Sequence, residues 1–591
     1  MRSILLGFLL SCPALLMAQL NFFQPDTTAG PHPWTKEGFE HTESSFQFAV
    51  IGDLTGGYRH GVFPQAVEKA NAIAPDFVMS VGDLIEGYTE DTAQILRWWR
   101  QFDGWVAGLE APFFYVPGNH DLSHSGMTSI WEVRYGRTYY HFLYRNVLFL
   151  VLNTEDGAPS RISPKQVRYV EQTLADHPQA DWTLLFFHKP LWQEQEAGFL
   201  AIEQALQGRP YTVFAGHTHR YLKQQRHGQD YYILGTTGGG STLAGPAFGQ
   251  LDHFAWVTMR PDGPQVANLL LDGILPDDIH TEATQPLSEC LLRGSRPVHD
   301  ALVENSPAQL WKTNLRLAHQ CPVPVRLTGR FLEHPQLEPA WAAVDTLLAP
   351  GSQWVAPLSI RANEVGFGSE LDPLEWMWEV RAGEDAKGLI RSDTTEIRIV
   401  RSRQCQPAPK DVAVDGQWKE WSEPGYEAPE ELGYYPHSWE GPEDCSIAAR
   451  CAADTDWLYF ALRVKDNEAL YSSYRSSWEQ DGAAFQLLLP GTEPIGISFS
   501  PGDSLLVDSQ ENWPAGAKIK ALRLLDGFSA ELALPRAALA KRAGESLASF
   551  QLQWIVYDHD GLEDQYKGTK AYWRKPGPGA GTYTITQFKK R

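Results

Sequence analysis

The stretch Phe113-Phe114-Tyr115-Val116-Pro117-Gly118-Asn119-His120-Asp121 decides how the N-terminal part of this chain folds. Its apolar start has the length of a buried strand, and its polar end has the Pro, Gly and Asn that are typical of a turn. Other short apolar runs also end in polar, turn-forming residues, at 46–51, 77–81, 147–152, 184–187 and 213–215. These runs predict buried strands whose ends carry polar side chains.

Between several of these strands, apolar residues recur at three- and four-residue spacing. The spacing predicts helices over 63–73, 92–105 and 164–176. Strands that alternate with helices predict an α/β domain, which we place at residues 46–285. Ligand sites of open α/β sheets lie at the carboxyl ends of the strands, so the polar residues found there are expected to form one site.

The polar residues at the strand ends are carboxylates, an amide and imidazoles. They are Asp53, Asp83, Asn119, His120, Asp121, His188, His217 and His219. This donor set suits a divalent cation such as Mn, Fe, Zn or Ni, and it contains no thiolate. About one strand-helix-strand unit separates Asp53 from Asp83, and another separates Asp83 from Asn119, which would return all three to one sheet edge.

The order, spacing and types of these residues resemble the calcineurin-like metallophosphoesterase family over about residues 46–271. That family has an Asp, a Gly-Asp, a Gly-Asn-His-Asp/Glu, a single His and a Gly-His-x-His. The resemblance implies a four-layer β-sandwich flanked by helices, with two divalent metal ions. It also implies these ligand roles: Asp83 bridges the two metals, Asp53 and His219 hold the first, and Asn119, His188 and His217 hold the second.

The resemblance further implies hydrolysis of a phosphomonoester or phosphodiester by a metal-bound hydroxide. His120 would assist the leaving group as the catalytic acid. We predict that Asp121 orients the His120 ring, as carboxylates often do for histidines. A turn residue that bonds the local backbone is the alternative for Asp121.

The chain departs from the family pattern at its first motif, where the usual Asp-x-His is Asp53-Leu54-Thr55. Purple acid phosphatases also lack that His and supply a Tyr three residues after the bridging Asp, but Glu86 occupies this position here. A purple iron site is therefore not expected. We hypothesise that Glu86 replaces the missing ligand, and the alternatives are Thr55 or a water in that place, with Glu86 a surface loop residue.

Other polar residues near the strand ends could contact the substrate or support the ligands. Arg134 and His253 are the candidate substrate-binding residues, with Glu155 and Asp252 as further candidates for either role. The segment 235–240 is rich in Gly and Thr but lacks the Lys of a phosphate-binding P-loop, so we interpret it as a turn beside the site.

Beyond residue 285 the pattern changes to alternating strands with Pro and Gly between them. It predicts two all-β domains, a small Ig-like sandwich over 286–405 and a second β-sandwich over 406–591. The two prolines of segment 404–410 predict an extended linker between them.

The last domain contains Val414-Asp415-Gly416-Gln417-Trp418, Trp457-Leu458-Tyr459-Phe460 and Trp478-Glu479-Gln480-Asp481-Gly482. These motifs resemble family 9-like carbohydrate-binding modules, in which an aromatic clamp stacks on sugar. The candidate clamp residues are Trp418, Trp439, Trp478 and Trp513, with core packing as their alternative role. The resemblance adds a second functional hypothesis, a glycan- or surface-binding protein with a degenerate, weakly active metal centre.

Residues 1–18 have the basic, apolar and small-residue regions of a signal peptide, and residues 19–45 form a leader segment. We expect a secreted, periplasmic or cell-surface protein, and a lipoprotein cleavage box ending in Cys12 is the less favoured interpretation. No other stretch reaches the ~18 apolar residues of a transmembrane span. A formal net charge of −22 argues against binding to nucleic acids.

Five cysteines follow Cys12, namely Cys290, Cys321, Cys405, Cys445 and Cys451. We predict a local disulfide between Cys445 and Cys451, and the odd number leaves at least one cysteine outside an intrachain pair.

Overall fold

The computed structural model describes most of the chain. The described residues are 23–26, 30–36, 45–270, 272–383, 389–410, 412–433, 439–467, 471, 480–489, 492–501, 505–544, 547, 549–559, 569–574 and 582–585. The predicted signal peptide at 1–18, Cys12 and the clamp candidate Trp478 lie outside these residues.

The N-terminal region is an α/β unit with two sheets. Its strands are β1 (Phe23–Pro25), β2 (Phe46–Ile51), β3 (Phe77–Ser80), β4 (Phe113–Phe114), β5 (Tyr140–Tyr144), β6 (Val147–Val151), β7 (Trp182–Phe186), β8 (Tyr211–Ala215), β9 (Leu222–Arg226), β10 (Gln229–Ile233), β11 (His253–Arg260), β12 (Gly263–Leu270) and β13 (Ile274–Pro276). Its helices are α1 (Val62–Ile73), α2 (Thr92–Val106), α3 (Ser125–Tyr135), α4 (Pro164–Asp176), α5 (Leu191–Glu194) and α6 (Ala197–Ala205), with a 3-10 turn at Pro246–Phe248.

The two sheets pack face to face. One has the strand order β1-β5-β6-β7-β8-β10-β9 and the other β13-β12-β11-β2-β3-β4. Aromatic rings fill the space between them, with Phe48 of one sheet 5.6 Å from Phe149 of the other and 6.2 Å from Phe186. These inward side chains form one continuous buried cluster.

Helices cover both outer faces of this sandwich. Helices α1 to α3 bury Phe63, Trp99 and Trp131 against the six-stranded sheet, and α4 to α6 bury Val170 and Phe199 against the seven-stranded sheet. The central strands are apolar at nearly every position because both of their faces are covered. The predicted four-layer α/β fold is confirmed.

Local signals fix the helix starts. The Asp91 carboxylate accepts hydrogen bonds from the backbone amides of Ala93 and Gln94 at the start of α2. Ser163 caps α4 in the same way, and Pro164 follows it at the first helical position, where its missing amide hydrogen is tolerated.

The middle region is predominantly β-structure. Its elements are α7 (Gln285–Gly294), β14 (Val298–His299), β15 (Leu302–Glu304), β16 (Ala308–Ala318), β17 (Val325–Phe331), β18 (Leu337–Pro339), β19 (Ala343–Leu348), β20 (Gln353–Gly366), β21 (Leu374–Ala382), β22 (Leu389–Ile397) and β23 (Ile399–Arg401), with a 3-10 turn at Gly368–Glu370. Two four-stranded sheets, β14-β16-β20-β18 and β19-β17-β21-β22, enclose a core that contains Trp311 and Trp376. A disulfide between Cys290 and Cys321 ties α7 to this core.

The C-terminal region is a sandwich-like β-structure. Its elements are β24 (Arg403–Pro407), β25 (Glu431–Gly433), β26 (Cys445–Ala453), β27 (Trp457–Asp466), β28 (Gly482–Leu488), β29 (Ile495–Pro501), β30 (Leu505–Glu511), β31 (Lys518–Leu524), β32 (Gly527–Pro535), α8 (Arg536–Ala543), β33 (Ser549–Asp558), β34 (Thr569–Tyr572) and β35 (Thr582–Ile585). Phe460 of β27 packs 5.0 Å from Phe485 of β28, so the connected strands fold over a shared core.

Two local predictions in this region are wrong. The segment predicted as a linker contains β24, which pairs in parallel with β26 and β35. Cys405 of this strand forms a disulfide with Cys451, and Cys445 is a buried free thiol. Cys445 and Cys451 lie on the same strand, and six extended residues span roughly 20 Å, which is too far for a disulfide.

Within the described residues, no helix has both the length and the hydropathy that a membrane crossing requires.

Candidate metal centre

The ends of five strands bring the predicted ligands to one edge shared by the two sheets. Asp53 follows β2, Asp83 follows β3, Asn119 follows β4, His188 follows β7, and His217 and His219 follow β8. Parallel strands point their carboxyl ends in one direction, which explains how residues so distant in sequence meet.

The meeting residues form two groups that share one carboxylate. Asp53, Asp83 and His219 form the first group, and Asp83, His188 and His217 the second, with the donor atoms of each group within 4.8 Å of one another. The Nε2 atom of His188 lies 3.0 Å from Oδ2 of Asp83. This arrangement is that of two adjacent cation sites with Asp83 between them.

The hydrogen bonding of two buried oxygen atoms indicates whether cations fit these two groups. Oδ2 of Asp53 and Oδ1 of Asn119 are buried and have no hydrogen-bond partner among the described residues. Leaving such an oxygen unsatisfied costs about 1–3 kcal/mol, more when it is charged. A cation at the first group would satisfy the Asp53 oxygen, and Asn119 has a buried oxygen free to serve as a further ligand, so the residues fit a dinuclear centre.

Three of the candidate ligands have a strained backbone. Asp83, His217 and His219 have φ angles of 57°, 74° and 53°, which non-glycine residues seldom adopt. Gly82 and Gly118 pack closely beside Asp83, and a Cβ on Gly118 would lie 2.2 Å from Oδ1 of Asp83. Gly82, with a φ angle of 95°, is therefore required by backbone conformation and by space, and Gly118 is required by space.

The electrostatics of the cluster depend on its burial. Burial alone would lower the pKa of His188, but the carboxylates of Asp83 and Asp53 outweigh it and raise this pKa to about 9. The pKa of His217 falls to about 3 because of burial and the neighbouring positive His188. Without a cation the buried carboxylates thus hold a proton on His188, a position that a divalent cation would take over.

His120 lies at the wall of a cavity of about 830 Å³ that opens onto both groups. Its Nδ1 is 2.5 Å from the carbonyl oxygen of Glu86. Since a carbonyl only accepts, Nδ1 donates, which leaves Nε2 to exchange a proton. Nε2 lies 4.0 Å from Oδ2 of Asp83, beside the shared carboxylate.

The predicted role of Asp121 in orienting His120 is wrong. The Asp121 carboxylate instead accepts four backbone hydrogen bonds, from the amides of Asp83, Leu84, Ile85 and Gly118. It is fully buried and holds the loop that carries Asp83 against the loop that carries Asn119. The carbonyl of Glu86, an atom that no side-chain pattern reveals, is what orients His120.

Glu86 and Thr55 are in direct contact, because the Thr55 hydroxyl donates a hydrogen bond to the Glu86 carboxylate. Glu86 is half-buried and belongs to neither group of clustered donors. Its replacement of the missing ligand stays a prediction, and the contact places it beside the residue that stands in the motif's histidine position.

The two predicted substrate-binding residues do not face the cavity. Arg134 forms an ion pair with Asp103 and lines a separate cavity near the leader segment. His253 is buried, and its Nε2 accepts a hydrogen bond of 2.8 Å from the amide of Gly235. Arg134 is directed away by helix α3, and His253 is the first residue of a central strand, so both assignments are corrected.

The cavity wall also contains residues that were not predicted from the sequence. They include Tyr58, Arg59, Arg220, Thr242 and Gln250. Arg59 is held by an ion pair with Asp252, whereas the Arg220 guanidinium has no hydrogen bond or ion pair with the described residues. Arg220 directly follows the Gly-His-x-His motif, and from this position in the sequence it could have been predicted as a residue of the site.

Comparison with known proteins agrees with this geometry. Residues 46–221 match the family model of the calcineurin-like phosphoesterases. The 3′,5′-cyclic adenosine monophosphate phosphodiesterase CpdA of Escherichia coli (strain K12) is 26% identical over 216 residues, 35% of this chain and 74% of that protein.

Solved structures resemble separate parts of the chain at low TM-scores. A dimetal phosphatase from Danio rerio has a TM-score of 0.32 and 16% identity, covering 39% of this chain and 98% of its own. A family 9 carbohydrate binding module from Caldicellulosiruptor kristjanssonii, in complex with glucose, has a TM-score of 0.24 and 11% identity, covering 32% of this chain and 98% of its own. From the family match, the chain carries a calcineurin-like phosphoesterase domain at residues 46–221 and is a metal-dependent phosphoesterase.

Proposed function

We propose that this protein is an exported hydrolase that cleaves phosphomonoesters or phosphodiesters at a dinuclear centre of Mn, Fe, Zn or Ni. The observation that carries the proposal is the pair of donor groups that share Asp83, together with the buried, unpartnered oxygens of Asp53 and Asn119. Carboxylate, amide and imidazole donors suit these metals.

When bound, two such cations would lower the pKa of an attacking water and offset the negative charge of the phosphoryl group. His120 would hold the proton for the leaving oxygen on Nε2, since Nδ1 donates to Glu86. Arg220 supplies a positive charge at the cavity wall that no carboxylate among the described residues pairs with, which favours an anionic substrate.

The substrate proposal covers both ester types. The Escherichia coli relative is by its name a phosphodiesterase of a cyclic nucleotide. We therefore include a cyclic phosphodiester beside p-nitrophenyl phosphate and its bis ester in the test.

The deciding experiment combines metal analysis with turnover. Protein purified without added ions should contain close to two divalent cations, and Asp83→Asn should lose both cations and activity by about a thousandfold or more. Asp262→Asn, an exposed aspartate in a turn, is the matched control and should keep both. Metal binding without turnover of any of the three esters would support the weakly active, degenerate centre instead.

Export is proposed from the signal-peptide pattern of residues 1–18. The disulfides Cys290–Cys321 and Cys405–Cys451 support it, because such bonds persist in oxidising compartments. N-terminal sequencing of the protein from the culture medium or periplasm should begin near Gln19, and an intact Met1 in the cytoplasmic fraction would contradict export.

Glycan binding by the C-terminal region is likewise a proposal. Trp439 and Trp513 pack against its hydrophobic core, which favours their structural role. Trp418 is half-buried outside that core and is the described clamp candidate that remains. Loss of binding to immobilised polysaccharide in Trp418→Ala, with binding kept in Trp513→Phe, would support it, and equal behaviour of both variants and the wild type would contradict it.

A further inference from the structure

Tyr88 has an unusual position for a large aromatic residue. It belongs to the segment Glu86-Gly87-Tyr88, five residues beyond the shared ligand Asp83. Its side chain is 52% exposed, yet its backbone has a φ angle of 55°, which costs free energy for a non-glycine residue. An exposed ring held by a strained backbone indicates a role at the adjacent site.

The Tyr88 hydroxyl contacts one of the candidate ligands. It accepts a hydrogen bond of 3.0 Å from Nδ2 of Asn119. Because a side-chain amide has one donor end and one acceptor end, a partner for Nδ2 determines where Oδ1 points. Oδ1 is buried and unpartnered, and the family resemblance assigns it to the second cation.

The Tyr88 ring lies beside His120. The two ring centroids are 4.8 Å apart in an edge-to-face arrangement. Gly87 allows this approach, since a Cβ there would lie 1.8 Å from the carbonyl oxygen of His120. The Tyr88 amide also donates a 3.0 Å hydrogen bond to Oγ of Ser123, so the segment is held at both sides of His120.

We propose that Tyr88 acts at this site in two ways. Its hydroxyl positions the Asn119 amide toward the second cation. Its exposed ring stands beside His120, outside the residues that line the cavity, and offers a face on which a leaving group that extends past His120 packs. The second part rests on the proposed phosphoesterase function, in which the leaving oxygen lies at His120. An exposed aromatic face beside that oxygen favours a leaving group with a flat, apolar face, an aryl ring, a nucleobase or a sugar, over a small aliphatic alcohol.

Two variants of the full-length protein distinguish the role of the hydroxyl from the role of the ring. Tyr88→Phe removes the hydroxyl and keeps the ring, and Tyr88→Leu removes both. Tyr139→Phe and Tyr139→Leu, at a half-buried tyrosine whose ring packs 5.1 Å from Tyr169 of α4, are the matched controls.

Metal binding tests the positioning role without any substrate. Calorimetric titration of the metal-free protein with Mn²⁺ should show that Tyr88→Phe weakens the second cation about tenfold or more and leaves the first unchanged. Tyr139→Phe should match the wild type. Identical titrations of Tyr88→Phe and the wild type would overturn the positioning role.

Substrate selectivity tests the ring. Tyr88→Leu should lower kcat/KM for phenyl phosphate about threefold to tenfold more than for methyl phosphate, whereas Tyr88→Phe should lower both equally. The ratio of kcat/KM between the wild type and Tyr88→Leu on adenosine 5′-monophosphate and on glucose 6-phosphate then shows whether the ring favours a nucleoside or a sugar leaving group more. An equal loss on phenyl and methyl phosphate in Tyr88→Leu would overturn the ring's role.

Failure of the proposed function has a different signature. A wild-type protein that binds two cations but hydrolyses none of these esters would overturn that function and the leaving-group role with it. The Mn²⁺ titration would still decide whether Tyr88 positions Asn119. Equal melting temperatures of the metal-free variants and the wild type are expected, because the ring is half exposed.

Discussion

The Thr55 hydroxyl donates a hydrogen bond to the carboxylate of Glu86, across the loops that follow β2 and β3. Thr55 stands where the family motif has a histidine ligand, and Glu86 stands where the purple acid phosphatases have their tyrosine. The two alternatives for the missing ligand are thus bonded to each other. A ligand role of Glu86 toward the first cation stays a prediction, since Glu86 belongs to neither group of clustered donors.

We predict that Glu86→Gln weakens binding of the first cation about tenfold to a hundredfold, because it removes a negative charge near the site. Thr55→Val should weaken it less, since it removes the hydrogen bond and keeps the charge. Calorimetric titration and metal analysis measure both effects. Glu171→Gln, on the exposed face of α4, serves as the control. Unchanged metal content and turnover in Glu86→Gln would show that Glu86 has no ligand role.

Asp121→Ala should destabilise the metal-free protein by about 3 kcal/mol or more. The substitution leaves four buried backbone amides without the carboxylate that accepts them. Activity should fall because Asp83 and Asn119 lose their relative position, while the pH dependence of the residual turnover stays that of the wild type. A shifted acidic limb in the pH profile of Asp121→Asn would instead indicate that Asp121 tunes His120.

The set of candidate ligands was predictable from sequence because each of them follows a buried strand within a few residues. Asp53, Asp83 and His188 are found by locating strand ends, and the fold brings parallel ends together. The residue types then select the chemistry. Little of this depends on loop conformation, which explains why the pattern predicted the cluster.

The partners of Asp121 and Arg134 could not be predicted in the same way. Asp121 bonds the backbone of a loop on a neighbouring strand, and backbone amides carry no sequence signal. Arg134 lies on α3, a helix that we did not predict although Met127, Trp131 and Tyr135 recur at four-residue spacing on its buried face. Without that helix, nothing in the sequence directs Arg134 toward Asp103.

The loop at 238–250 links the cavity to the middle region. It carries Thr242 and Gln250 at the cavity wall, while Phe248 is buried in the core of the middle region with Leu291 and Trp311. A non-catalytic core therefore fixes part of the substrate site, a relationship that the predicted boundary at residue 285 had hidden.

We predict that Phe248→Ala raises KM about tenfold and leaves the affinity for both cations unchanged. The deleted ring would cost about 3–5 kcal/mol of packing and release the part of the loop around Thr242 and Gln250. Gly240, whose carbonyl oxygen lies 2.7 Å from Nδ1 of His219, stays held by its own backbone bond to Gly56. Leu243→Ala, in the same loop but 46% exposed, is the control and should keep the wild-type KM. Weaker cation binding in Phe248→Ala would contradict this separation of the loop from the centre.

We predict that protonation of His253 makes the free energy of unfolding depend on pH. Burial lowers its pKa to about 4 from the ordinary value near 6.5, and its Nε2 must be unprotonated to accept the hydrogen bond from Gly235. The folded state therefore binds fewer protons than the unfolded state between these values. The stabilising contribution is complete above pH 6.5 and is lost as the pH falls toward 4, by roughly 2–3 kcal/mol at pH 4.5.

His253→Gln should remove this part of the acid sensitivity, since an amide oxygen can accept the Gly235 hydrogen bond at every pH. The free energy of unfolding by urea, measured on metal-free protein with chelator at pH 7.5 and pH 4.5, should fall less in His253→Gln than in the wild type. His227→Gln, at an exposed histidine, should behave as the wild type does. An equal fall in all three proteins would mean that protonation of other groups accounts for the acid response.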